Sequence, residues 1–110
     1  MAAVAVVQKY VGHFNASEFD QMVEMMAEDI QMISPKENIS GKKAFGDSMK
    51  ANGPKLQKEG PTWGPVTAGP TDAQAVTVGT KKMMMMTVTL KRTFTVNGEG
   101  KIAKIEVAKA

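Results

Sequence analysis

Cysteine is absent from this 110-residue chain, which has a single arginine, histidine, tryptophan and tyrosine. Without cysteine there are no structural disulfides, no thiolate nucleophile and no cysteine-ligated zinc or iron–sulfur centre. One histidine cannot assemble an imidazole metal site, and a thioether copper site would need histidine support, so neither metal nor cofactor is expected. No apolar run approaches the roughly 18 residues that read as a membrane span. The first ten residues, MAAVAVVQKY, lack a basic leading region and a small-residue cleavage site. The expectation is a soluble cytoplasmic protein without membrane contact. A nucleic-acid footprint is also missing. The 13 lysines are spread along the chain, and the few aromatics do not interleave with them.

What remains is an ordinary globular composition, with enough chain for one domain spanning residues 1–110. Ala3, Val6, Val7, Tyr10, Val11 and Phe14 recur at helical spacing and predict an amphipathic helix. Ser17-Glu18-Phe19-Asp20 predicts the start of a second, with Phe19, Met22, Val23 and Met26 as its stripe. A short strand is expected from Ile30 to Ser34, before Pro35. A third helix over about 41–51 is capped by Ser40, turns Ala44, Phe45 and Met49 inward, and stops at Asn52-Gly53-Pro54. Beyond residue 60, proline and glycine punctuate an edge strand. Ala75–Val78 is then a strand, Gly79-Thr80-Lys81-Lys82 a turn, and 83–96 the longest strand. Asn97-Gly98-Glu99-Gly100 makes a hairpin into a last strand over about 101–108.

Alternation in the long strand places Met84, Met86, Val88, Leu90, Arg92, Phe94 and Val96 on one face. The other face carries Thr87, Thr89, Lys91, Thr93 and Thr95. The first face is apolar apart from Arg92, a group that is costly to bury without a counter-charge. Arg92 would bind a carboxylate, phosphate or enolate oxygen of a ligand, pair with an internal acid such as Asp29 or Glu106, or snorkel to the pocket rim. The ten methionines suit either an adaptable pocket wall or plain core filling.

Four stretches together resemble the nuclear transport factor 2-like superfamily, above all its ketosteroid isomerase and SnoaL-type polyketide cyclase-like branches. They are Val6–Ala16, Ala27–Pro35, Ser40–Ala44 and Phe94–Ile102. The resemblance implies an α+β cone: a curved antiparallel sheet wrapped around N-terminal helices, in the order α-α-β-α-β-β-β-β, with a pocket at its open end. It also implies frequent homodimers, here through the outer threonine-rich sheet face. In the isomerase, a tyrosine and a protonated aspartate hold the oxyanion while a second aspartate is the base. By resemblance Tyr10 occupies the tyrosine position, Ser34 the base position and Arg92 that of the protonated acid. Both carboxylates are lost, so authentic ketosteroid isomerisation is not expected.

The candidate catalytic residues are therefore Tyr10, Arg92 and Ser34. The candidate ligand wall is Phe14, Met22, Met26, Met32, Trp63, Met84, Met86, Leu90 and Phe94. The expected function is binding of a small, largely apolar or amphipathic molecule through an oxygen, with isomerase-, cyclase- or hydrolase-like activity where the site turns over. A non-catalytic dimerisation or adaptor module is the alternative.

Overall fold

In the computed structural model, which describes residues 3–35, 37–59, 61–83 and 85–110, the N-terminal apolar stripe forms helix α1 (Ala3–Asn15). It buries Ala3, Val7, Tyr10 and Phe14. Ser17 takes a left-handed backbone (φ 60°) and turns the chain into the short helix α2 (Phe19–Glu24). Glu18, not Ser17, is its N-cap residue, and no side chain caps it. His13 Nδ1 lies 3.0 Å from Glu18 Oε1, so the lone histidine ties α1 to this corner.

Strand β1 (Met26–Ile33) begins earlier than its sequence pattern suggests, because Met26 already pairs with Ile102. Ser34 closes a turn into a short strand, β2 (Asn38–Ser40), which the sequence does not announce. Gly41 (φ 95°) then leads into α3 (Lys42–Glu59). Four strands follow: β3 (Val66–Ala68), β4 (Gln74–Met83), β5 (Met86–Val96) and β6 (Ile102–Lys109). The result is α+β, with helices first and a six-stranded, curved, unclosed sheet in the order β2-β1-β6-β5-β4-β3. All neighbours are antiparallel except β1 and β6, which run parallel.

Three local expectations are corrected. Asn52-Gly53-Pro54 does not end α3. Gly53 is buried where an added Cβ would meet the Phe19 ring at 2.9 Å, so packing against α2 carries the helix through. Gly79–Lys82 is not a turn but part of β4, and the chain reverses between the paired residues Met83 and Met86. Ala44 faces solvent, whereas Phe45 and Met49 are buried. Pro54 inside α3 leaves the Lys50 carbonyl without its helical donor. Pro54→Ala is expected to raise stability by about 1 kcal/mol, the restored bond being partly offset by a freer unfolded chain. Equilibrium urea unfolding checks it; an unchanged or lower midpoint would mean the helix needs the interruption.

Helix α1 lies against β3, β4 and β5, and α3 against β1 and β2. The core joins Val7, Tyr10 and Phe14 of α1 to Met22, Met26, Ile30, Phe45, Phe94, Ile102 and Ile105. Alternation along β5 holds as read from the sequence: Leu90, Arg92, Phe94 and Val96 are buried, and Thr87, Thr89 and Lys91 are exposed. The register shift opposite β5 falls at Thr95/Val96, beyond Arg92, so the inward set of Arg92 is undisturbed.

Candidate functional site

Between the helices and the sheet is a cavity of about 520 Å³. Its inner wall includes Tyr10 and Phe14 from α1, Met22 from α2, Met32 from β1, Phe45 and Met49 from α3, Trp63, and Arg92 from β5. Its outer wall includes Glu37, Ser48, Asn52, Lys55, Lys81 and Lys82. Because Glu37, Asn52, Lys55 and Lys82 are surface residues, the cavity runs from a buried end to solvent.

Arg92 is only 6% exposed, and Tyr10 only 5%. The guanidinium Cζ sits 5.1 Å from the centre of the Trp63 ring, a cation–π contact. Tyr10 packs edge-on against Trp63 (6.0 Å) and Phe94 (5.3 Å), and Phe14 against Trp63 (5.4 Å). Neither the Tyr10 hydroxyl nor the Arg92 guanidinium has a hydrogen bond or carboxylate partner among the described residues. The internal partners considered for Arg92 lie elsewhere: Asp29 is exposed, and Glu106 is exposed beside Lys104 at 3.7 Å. Burial raises the Tyr10 pKa well above that of an ordinary phenol, against a smaller opposing pull from Arg92. Burial also lowers the Arg92 pKa, with Tyr10 pulling weakly the other way. At neutral pH the pair is a neutral O–H donor beside a poorly solvated cation.

Trp63 is held by backbone, not by a regular strand. Thr62 N–H donates to Thr80 O (2.8 Å), Gly64 N–H to Val78 O (3.0 Å), and the buried Thr77 hydroxyl to Gly64 O (3.0 Å). This lays residues 62–64 along β4 so closely that a Cβ on Gly79 would collide with the Thr62 carbonyl. The Trp63 indole N–H is sealed from solvent without a partner among the described residues.

Of the sequence candidates, Tyr10, Arg92, Phe14, Met22, Met32 and Trp63 stand on one cavity. Phe94 lies fully buried behind Tyr10 and Trp63. Met26 and Leu90 are buried outside the lining, since Met26 opens β1 instead of extending α2. Met86 is a correction: it is 69% exposed near the β4–β5 hairpin tip. Six residues of extended strand carry it about 20 Å past Arg92, beyond the helical layer. Met84 lies outside the described residues. Ser34 is also corrected in place. Its hydroxyl donates to Glu37 O (2.7 Å) and accepts from Glu37 N–H (3.1 Å), so it closes the β1–β2 turn and is not in the cavity lining. Local sequence does not reveal the outer wall: Gly79–Lys82 reads as a turn, and Asn52 and Lys55 lie at or past an apparent helix stop. Glu37, the one carboxylate among the described lining residues, gave no sequence signal.

No protein-family profile and no curated protein sequence matches the chain. Solved structures do. The epoxide hydrolase/cyclase-like enzyme SalBIII, associated with pyran ring formation in the polyether salinomycin, superposes with a TM-score of 0.77 at 19% identity, covering 98% of this chain and 90% of its own. A nuclear transport factor 2-like protein of unknown function from Cytophaga hutchinsonii gives 0.77 at 12% identity, covering 100% and 91%. A Mycobacterium tuberculosis protein in complex with estradiol-17beta-hemisuccinate gives 0.75 at 16%, covering 98% and 93%. The chain therefore has the nuclear transport factor 2-like fold, as the sequence resemblance implied.

Proposed function

We propose that this chain binds a small, largely apolar molecule in the cavity and orients one of its oxygens, anionic or carbonyl, with Tyr10 and Arg92. One observation carries the reading: two buried donors line the same cavity, and neither meets an acceptor among the described residues. Both donors open onto the cavity, where a ligand oxygen would supply the acceptor that the fold does not. The apolar lining from Phe14, Met22, Phe45 and Met49 suits a hydrophobic body. The structural likeness to a steroid hemisuccinate complex and to an epoxide hydrolase/cyclase-like enzyme supports the same reading.

Where the site turns over, isomerase-, cyclase- or hydrolase-like chemistry would rest on stabilising a developing oxyanion. Ser34 is committed to backbone and cannot serve as the base. The adaptor alternative has less support, because it needs Arg92 neutralised inside the fold. Two copies meeting through the outer face of β5 remain part of the proposal, with sedimentation equilibrium as its check.

Calorimetric titration with estradiol-17beta-hemisuccinate tests the binding role. Arg92→Ala is expected to lose binding while retaining its circular dichroism spectrum, and equal affinity in the two proteins would sink the reading. Tyr10→Phe is expected to weaken binding about tenfold, as for one lost hydrogen bond to a charged or polarised oxygen. Its thermal midpoint should stay within about 2 °C of the parent, because the hydroxyl has no hydrogen-bond partner among the described residues.

A further inference from the structure

Resting on that reading of the cavity, we infer that the occupant is a carboxylate: an amphipathic organic acid whose carboxylate seats on Arg92, with Tyr10 donating to one oxygen. The one acid among the described lining residues, Glu37, is a surface residue on the outer wall. At the buried end the Arg92 guanidinium meets the Trp63 ring, with the Tyr10 phenol nearby, and has no carboxylate partner among the described residues. A ketone, ester or alcohol would accept a hydrogen bond there but leave the positive charge uncompensated. A carboxylate supplies the acceptor and the counter-charge together, and its two oxygens match the guanidinium fork. Tyr10 remains a hydrogen-bond donor, because burial already holds its pKa well above that of an ordinary phenol.

Inorganic anions fit poorly. The cavity that Arg92 lines is also walled by Phe14, Met22 and Trp63, and a phosphate or sulfate would cover none of that apolar surface. The required ligand has an apolar body for this wall and one acid group at its inner end.

The test uses the intact chain and three matched pairs in calorimetry: decanoate and methyl decanoate, naphthoate and its methyl ester, and estradiol-17beta-hemisuccinate and its methyl ester. For at least one pair the acid is expected to bind about thirtyfold or more tightly than its ester, the low end of what a desolvated charge pair contributes. Arg92→Met should erase the difference, while Arg92→Lys, which keeps the charge but not the fork, should retain part of it. Equal affinity of acid and ester overturns the carboxylate assignment and leaves the cavity reading standing. An acid preference that survives Arg92→Met overturns the role of Arg92. If no member of any pair binds at millimolar concentration, the cavity reading fails, and this inference with it. The acid-to-ester ratio of the parent protein decides the point even if a variant does not fold.

Discussion

Arg92→Met is expected to make the empty protein more stable while removing its ligand affinity. A buried, unpaired cation costs several kcal/mol after relaxation, and the contact with Trp63 returns only about 1–2 kcal/mol of it. Arg92 is also 6% exposed and touches the cavity, so part of its hydration survives and the net gain is smaller. An increase of about 1 kcal/mol is the outcome to look for, or roughly 4 °C in thermal midpoint for a chain of this size. Methionine is the right replacement because it keeps the length of the side chain and leaves no cavity against Trp63. A lower midpoint would show that Arg92 is stabilised in the fold, and would remove the reason to assign it to a ligand.

The second large effect belongs to Gly79. The residue sits inside β4, paired with Leu90, where an added Cβ would run into the Thr62 carbonyl. Backbone, unlike a side-chain tip, cannot swing aside. Gly79→Ala must push residues 62–64 off β4 and break hydrogen bonds such as Thr62 N–H to Thr80 O. A loss of about 2–3 kcal/mol follows, or roughly 10 °C in thermal midpoint. Because the same segment carries Trp63, ligand affinity should fall with it. Gly98→Ala is the control, since nothing lies within 4 Å of its added Cβ. Matching midpoints for the two variants would mean that residues 62–64 are not held where the structure puts them.

Gly79 also shows where sequence reasoning stopped. A glycine followed by Thr-Lys-Lys reads as a turn when only local chemistry is considered. The reason for this glycine is a neighbour 17 positions earlier, and no local pattern contains that. Gly53-Pro54 misleads in the same way, since the helix continues because Phe19 packs on the glycine. The outer wall of the cavity is hidden for the same reason, because Asn52, Lys55, Lys81 and Lys82 lie on these two segments. Patterns that depend on one element alone were legible. The period of α1 placed Tyr10 and Phe14 inside, and strict alternation in β5 placed Arg92 among buried neighbours. The Asn97 turn formed as expected, its side-chain oxygen accepting from Glu99 and Lys101 N–H at 3.0 Å each. Met86 lies on the expected face but too far along it, because alternation fixes the face of a strand and says nothing about where the helical cover ends.

The chain's single tryptophan, Trp63, lies against the guanidinium on which the proposal turns. Light absorbed selectively by indole is therefore emitted from one position, inside the cavity wall. Its emission energy responds to the local field, which a carboxylate on Arg92 would change and a neutral ester would alter far less. The unlabelled protein thus contains its own optical probe, and the colour of its fluorescence would report the charge of an occupant as well as its arrival.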